Sequence, residues 1–153
     1  MRSFSLHPTI TLQVYLVDYE MPYTLPVLVV DDTEICRMGT GLLLESLGFK
    51  CDMAQNGFDA LEHFKAGRYR AVIMDYDMQG MTGAECTKEI RKLEAPTGSR
   101  LPVIGMTSHN HPSVIRKCLE SGMDAVLPKD CPKEDLLDIL EPLIFTRSNN
   151  GTG

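Results

Sequence analysis

The chain has 153 residues, of which 43% are hydrophobic and 24% are charged. This length suits one domain with a substantial core and is too short for two domains of ordinary size. The formal net charge is −6, and the 15 lysines and arginines are scattered along the chain. Because nucleic-acid surfaces cluster basic residues, the composition predicts a domain that binds no nucleic acid.

The five cysteines are odd in number and show no C-x-x-C spacing. This pattern favours reduced, packed thiols in the cytoplasm, or in the nucleus if the organism is eukaryotic. The apolar stretch 9–17 is interrupted by Gln13 and lacks a cleavage pattern. It therefore predicts neither a signal peptide nor a membrane span.

Residues 1–26 differ in pattern from the rest of the chain. Apolar and polar residues alternate between Ile10 and Leu16, which is typical of a half-buried strand. This N-terminal extension is predicted to be either an additional strand or a disordered leader, and the pattern does not decide between them.

From Val27 onward, short apolar runs alternate with helical patterns, which predicts a doubly wound α/β domain with a parallel sheet over 27–145. The polar end, 146–153, is predicted to be a disordered tail. Helices are expected at 33–47, 58–65, 84–93, 112–121 and after Cys131. Their apolar sides are expected to include Ile35, Met38, Leu42 and Leu43 in the first helix, Cys86, Ile90 and Leu93 in the third, and Leu136, Leu140 and Leu143 in the last.

Four of the predicted strands end in a polar residue. The apolar run 27–30 precedes Asp31 and Asp32, the run 71–74 precedes Asp75, 102–106 precedes Thr107, and 124–128 precedes Lys129. The carboxyl ends of parallel strands share one edge, where open α/β sheets place their ligands. The sequence therefore predicts a single site that contains all five side chains.

Three carboxylates on neighbouring strands repel one another unless a cation lies between them. Mg²⁺ suits carboxylate and water ligands, whereas zinc is disfavoured because no cysteine or histidine accompanies these residues. Asp75 stands alone at a strand end and is the best nucleophile for forming an acyl phosphate. Lys129 can pair with the phosphoryl group, and the Thr107 hydroxyl can donate a hydrogen bond to it.

Four segments together resemble the receiver domain of two-component response regulators: VLVVDD (27–32), MDYDMQGMTG (74–83), IGMTS (104–108) and LPK (127–129). The resemblance implies a five-stranded sheet of order 2-1-3-4-5, the flavodoxin-like fold. It implies phosphorylation of Asp75 by a phosphohistidine on a histidine kinase or a histidine phosphotransfer protein. It also implies Mg²⁺ ligation by Asp32, by Asp75 and by the backbone carbonyl of Asp77, with Asp31 acting mainly through water.

By the same resemblance, Thr107 is the switch hydroxyl and Lys129 is the phosphate-pairing ammonium. The stretch 82–94 is similar to receivers of hybrid histidine kinases. Such a domain is not an enzyme beyond Mg²⁺-dependent self-phosphorylation from a donor and slow autodephosphorylation. With no output domain expected after Phe145, the chain is expected to relay phosphate or to signal through protein contacts.

Several positions depart from the family pattern. Gln79 stands where proline is usual, and Val126 replaces the switch aromatic. Asp130 replaces the proline after the lysine, so the Lys129–Asp130 bond is expected to be trans, since a cis non-proline bond costs about 2.5 to 4 kcal/mol. Asp77 and His109 occupy the positions that tune dephosphorylation in the family, and the direction of their effect is open.

Two other readings compete with a phosphoacceptor. Asp75 and Asp77 also fit the D-x-D pair of haloacid-dehalogenase-type phosphatases. In that superfamily, however, the D-x-D closes the first core strand, whereas here an acidic pair precedes it. A receiver that has become a non-phosphorylated interaction module is the second alternative, and the complete acidic, threonine and lysine set argues against it.

Overall fold

The computed structural model describes residues 25–150, with side chains as far as Ile144. The strands are β1 (Val27–Val30), β2 (Cys51–Ala54), β3 (Ala71–Asp75), β4 (Val103–Thr107) and β5 (Ala125–Pro128). The helices are α1 (Glu34–Ser46), α2 (Gly57–Ala66), α3 (Gly83–Glu94), α4 (Pro112–Glu120) and α5 (Lys133–Asn150). A short 3₁₀ turn, Ala95–Thr97, follows α3.

The five strands form one parallel sheet of order β2-β1-β3-β4-β5, which confirms the predicted doubly wound topology. Strands β1, β3 and β4 are interior, and every residue of them is buried. Parallel strands covered by helices on both faces are apolar throughout. This is why short continuous apolar runs, rather than alternating ones, marked them in the sequence.

Successive strand residues point to opposite faces, so the core is split into two layers. On one face Leu28 and Val30 of β1 pack with residues of α2, α3 and α4. On the other face Val27 and Val29 pack with Leu44 of α1 and with Leu136, Leu140 and Ile144 of α5. The predicted core side of α5 is confirmed for Leu136 and Leu140, which are fully buried.

The predicted apolar side of α1 is wrong for three of its four residues. Ile35, Met38 and Leu42 are 79%, 53% and 65% exposed, and only Leu43 packs against the core. The helix instead buries Leu44 and Gly41. A Cβ at Gly41 would overlap the Met53 side chain of β2, so glycine permits this close approach. Glycine carries no hydrophobic signal, and the pattern therefore selected the wrong side.

Smaller differences occur at Leu93 and at the C-terminus. Leu93 is 39% exposed, whereas Cys86 and Ile90 of the same helix are fully buried as predicted. The backbone is helical as far as Asn150. The sequence, by contrast, predicts a disordered tail that begins at residue 146. The strand or leader proposed for the N-terminal extension falls on residues 1–24, outside the described residues.

No helix between residues 25 and 150 combines the length and the apolar character that crossing a membrane requires.

Candidate functional site

The predicted polar residues converge at the carboxyl edge of the sheet. Asp31 follows β1, Asp75 ends β3 and Thr107 ends β4, and these three strands are adjacent in the sheet. One carboxylate oxygen from each of Asp31, Asp32 and Asp75 lies within 4.8 Å of the others. Asp31 and Asp75 are buried, whereas Asp32 is exposed at the mouth of the pocket.

Lys129 reaches into this acidic pocket from the end of β5. Its Nζ lies 3.0 Å from Oδ2 of Asp31 and 3.0 Å from Oδ1 of Asp75. The Lys129–Asp130 peptide bond is trans, as predicted, since the described residues contain no cis bond. The usual proline after this lysine is therefore not needed for the ammonium to reach both carboxylates.

Burial raises the pKa of Asp75 to about 6, against an ordinary value of 3.8. This value already includes the charges of Asp31 and Asp32, which also raise the pKa, and the contact with Lys129, which lowers it. For Lys129, burial alone would lower the pKa, but the contacts with Asp31 and Asp75 outweigh burial and raise it. The pocket thus holds more negative charge than its one lysine neutralises.

Atom Oδ1 of Asp75 is buried and accepts no hydrogen bond from the described residues, although it lies in the ion pair with Lys129. The single ammonium of Lys129 leaves part of the negative charge in this pocket uncompensated. Two other carboxylates lie close by, and Mg²⁺ binds carboxylates of this kind together with waters and phosphate oxygens. The donor set therefore fits a hard divalent cation.

The two acidic residues after β1 are held differently. Oδ1 of Asp31 accepts a hydrogen bond from the Thr33 amide. Oδ2 of Asp31 accepts one from the Lys129 ammonium. Asp32 accepts one from the backbone amide of Gln79, at 3.1 Å. Proline has no amide hydrogen, so this bond exists because Gln79 stands where the family usually has proline. The sequence interpretation missed this contact, because a backbone donor leaves no side-chain pattern.

The Thr107 hydroxyl forms hydrogen bonds within its own loop. It accepts a hydrogen bond from the His109 amide at 2.9 Å and donates one to the His109 carbonyl at 3.2 Å. The His109 ring nitrogen Nε2 lies 3.2 Å from Oδ2 of Asp77, and both side chains are exposed. The two predicted tuning residues therefore contact each other and link the loop after β3 to the loop after β4.

The start of α3 fixes the backbone of Asp75. Thr82 and Glu85 form a reciprocal capping box that begins this helix. The Gly83 amide donates to the Tyr76 carbonyl at 2.9 Å. A Cβ on Gly83 would overlap the carbonyl oxygen of Asp75. Glycine at this position lets the helix terminus lie directly against the strand end that carries the buried carboxylate.

The chain thus combines a doubly wound parallel sheet with an acidic pocket and a lysine at the carboxyl edge of that sheet. The chain matches the response regulator receiver domain family over residues 27–141 and belongs to that family.

The curated relatives include sensor histidine kinases. The chain is 35% identical over 138 residues to the sensor histidine kinase RcsC of Escherichia coli, and 34% identical over 115 residues to the sensor histidine kinase GacS of Pseudomonas protegens. These matches cover 80% and 74% of the chain but only 14% and 12% of the two relatives. The predicted resemblance to receivers of hybrid histidine kinases is confirmed.

Solved receiver structures show the same fold. The receiver domain of the sensor histidine kinase PA1611 from Pseudomonas aeruginosa, with magnesium ion coordinated in the active site cleft, is 28% identical with a TM-score of 0.71. It matches over 78% of this chain and 97% of that one. The receiver domain of the histidine kinase CKI1 from Arabidopsis thaliana, complexed with Mg²⁺ and BeF₃⁻, is 29% identical with a TM-score of 0.71. That match covers 84% of this chain and 95% of that one.

Proposed function

We propose that the chain accepts a phosphoryl group on Asp75 from a phosphohistidine and passes the signal on through protein contacts. The observation that carries this proposal is the position of the buried Asp75 carboxylate. It lies within 4.8 Å of two further carboxylates and 3.0 Å from the ammonium of Lys129. A nucleophile, a set of cation ligands and a fixed positive charge are the parts that phosphoryl transfer uses.

In the proposed step, a carboxylate oxygen of Asp75 attacks phosphorus in line with the bond to the donor imidazole. The new O–P bond forms as the N–P bond breaks, and the electron pair stays on the imidazole nitrogen. Lys129 is positioned to pair with the incoming phosphoryl oxygens, because its ammonium already contacts Asp75. Charge neutralisation and positioning supply most of the rate.

We assign a Mg²⁺ site to Asp32 and Asp75, with the backbone carbonyl of Asp77 as a further ligand. When bound, the ion withdraws charge from the phosphoryl oxygens. Asp31 is assigned a role through water, because both of its oxygens already have protein partners. The receiver of PA1611, which holds magnesium in its active site cleft, supports this assignment.

Thr107 and the Asp77–His109 pair are proposed to respond to the phosphoryl group. The Thr107 hydroxyl would exchange its bond to the His109 carbonyl for one to a phosphoryl oxygen, which moves the loop after β4. The Asp77–His109 pair links the two loops and limits the access of water. We therefore expect His109→Ala to shorten the lifetime of the aspartyl phosphate, measured as loss of label after the donor is removed.

The exposed side of α1 supports a protein donor. Ile35, Met38 and Leu42 recur at helical spacing, and the helix begins two residues after Asp32. A phosphohistidine must come within bonding distance of Asp75, so its carrier must cover this side of the pocket. We propose that the three residues, called the α1 stripe below, contact a histidine kinase or phosphotransfer protein. The five free cysteines favour an intracellular setting for this exchange.

The direct test is incubation of the chain with acetyl phosphate and Mg²⁺, followed by intact-mass measurement. We expect one phosphoryl group, its loss in Asp75→Asn, and no uptake when a chelator removes the metal. A panel of phosphorylated phosphotransfer domains then identifies the carrier from the rate of label transfer.

Other outcomes of the same test identify the alternatives. No uptake from any donor supports a pure interaction module, whereas uptake that persists in Asp75→Asn shows that Asp75 is not the acceptor. Turnover of a small phosphomonoester that depends on Asp77 supports a phosphatase. The geometry disfavours the phosphatase, because the Asp77 carboxylate pairs with His109 and is not part of the acidic cluster.

A further inference from the structure

A cavity of about 250 Å³ lies between α1 and α5 and shares its wall with the acidic pocket. Apolar side chains of the sheet and of α5 line one part of it, and Asp75 and Lys129 line another. A cavity of about 150 Å³ with apolar walls is already large enough for benzene. A small uncharged organic molecule therefore fits here, next to the proposed phosphoacceptor.

Two of the five thiols face this cavity. Cys36 of α1 and Cys131, just before α5, both line it, and both are half-buried. The other three cysteines lie elsewhere: Cys86 and Cys118 are fully buried, and the thiol of Cys51 lies 3.8 Å from the Gly41 carbonyl. The cavity thus combines space for a small molecule with nucleophilic atoms that can bond to it.

Gly39 is exposed and borders the cavity close to Cys36. It lies three residues further along α1, on the same side of the helix, and it also lines the cavity. A Cβ at this position would meet no atom within 4 Å among the described residues. Glycine inside a helix costs about 1 kcal/mol relative to alanine. Unlike Gly41, therefore, Gly39 has no packing role between residues 25 and 150 that would offset this cost.

The two thiols differ in their environments. Burial, with the nearby charges of Asp135 and Asp130, raises the pKa of Cys131. The thiolate is the reacting form of cysteine, so Cys131 is a weak nucleophile near neutral pH. Cys36 lies in the first turn of α1, four residues after the exposed Asp32, and lines the cavity from this helix. We therefore take Cys36 as the thiol that reacts.

We propose that Cys36 is a modification site for small, uncharged α,β-unsaturated carbonyl compounds, whose adduct fills the cavity and blocks phosphoryl uptake by Asp75. The sulfur bonds to the β-carbon of the double bond, and the α-carbon takes up the proton that the thiol gives up. The addition is not a redox step and needs no oxidant. The blocking effect rests on the proposed phosphoacceptor function, whereas formation of the adduct does not.

Uncharged compounds are favoured because the carboxylates at the edge of the cavity repel anions. An adduct that shifts Asp75 or Lys129 interferes with in-line attack, since a misplacement of about 1 Å costs on the order of 100-fold in rate. The expected effect on phosphoryl uptake is therefore a decrease of at least about tenfold.

The test treats the full chain with N-ethylmaleimide, maps the adducts by peptide mass and measures phosphoryl uptake from acetyl phosphate with Mg²⁺. We expect the first adduct on Cys36 and a matching loss of uptake. Cys36→Ser is expected to keep its uptake after treatment. Cys51→Ser, which removes a half-buried thiol outside the cavity, is expected to remain as sensitive as the unsubstituted chain. Iodoacetamide is expected to label Cys36 faster than the anionic iodoacetate.

Four results would overturn the inference: no adduct on Cys36, an adduct on Cys36 with unchanged uptake, loss of uptake that persists in treated Cys36→Ser, or unfolding of the domain by the adduct. Circular dichroism of the treated chain is part of the test. If the adduct unfolds the domain, local blocking of Asp75 is excluded. If the untreated chain takes up no phosphoryl group, the proposed function fails on its own, and adduct mapping still reports on the cavity.

Discussion

Burial raises the pKa of Asp75, and this raised pKa makes the stability of the metal-free chain depend on pH. The pKa of Asp75 is about 6 in the folded chain and 3.8 in its ordinary state. Between these values the folded chain binds more protons than the unfolded chain, so stability decreases as pH rises. The contribution of Asp75 is fully present below about pH 4 and is lost as pH rises through 6.

Asp75→Asn removes this titration. The unsubstituted chain loses this stability as pH rises, and the variant does not. Between about pH 4 and pH 7 we therefore expect the free energy of unfolding of the metal-free variant to rise by up to about 3 kcal/mol relative to that of the unsubstituted chain. Urea unfolding at several pH values, in the presence of a chelator, measures the difference. A constant difference across that range would contradict the raised pKa of Asp75.

Gln79 orients Asp32 through a backbone amide rather than a side chain. Donors that orient a metal ligand typically contribute about 10-fold to 100-fold in affinity. We therefore expect Gln79→Pro, which removes the amide hydrogen, to weaken Mg²⁺ binding about tenfold by calorimetry. Gln79→Ala keeps the amide and is the matched control. Equal affinities of the two variants would show that the bond to Asp32 has no effect on the metal site.

Helix α1 presents three large apolar residues to solvent beside the pocket. If the α1 stripe contacts the phosphohistidine carrier, Met38→Glu or Leu42→Glu should slow label transfer from a phosphorylated phosphotransfer domain about tenfold, since burying an unpaired charge in an interface is costly. Uptake from acetyl phosphate, which needs no interface, should be unchanged.

Leu119→Glu is the control for the α1 stripe. Leu119 is 48% exposed on α4, on the other face of the sheet. It should leave both reactions unchanged. An equal loss of protein-to-protein transfer in all three variants would place the docking surface elsewhere.

The elements also show what a sequence alone can predict. Strands β1, β3 and β4 were found because they are buried on both faces, and the polar residues at their ends were found because parallel strands share an edge. The buried side of α1 was missed because Gly41, rather than an apolar side chain, makes its contact with β2. Gln79 and Gly83 act through the backbone, by a donated hydrogen and by a missing Cβ, and neither leaves a hydrophobic or charge pattern.

Lys129 connects three strands of the molecule electrostatically. It extends from the end of β5 and contacts Asp31, which directly follows β1, and Asp75, the last residue of β3. Without a metal, it is the positive charge that holds Asp31 and Asp75 together at this edge. A divalent cation at the same carboxylates supplies positive charge of the same kind, so the lysine and the metal partly substitute for each other in stabilising the fold.

We therefore expect Lys129→Ala to destabilise the metal-free chain by about 2 kcal/mol, because removing one partner of a buried pair leaves the other uncompensated. Bound Mg²⁺ at about 100 times its dissociation constant adds about 2.7 kcal/mol to any chain that binds it. With the competing ammonium removed, Mg²⁺ should bind Lys129→Ala more tightly and raise its melting temperature by more than it raises that of the unsubstituted chain.

Thermal unfolding with and without Mg²⁺ measures both effects. Lys92→Ala is the control, because Lys92 is 71% exposed in its ion pair with Glu89 and such pairs contribute little. Its melting temperature and its response to Mg²⁺ should match those of the unsubstituted chain. If Mg²⁺ shifts the melting temperature of Lys129→Ala no further than that of Lys92→Ala, the lysine and the metal do not compete for the same carboxylates.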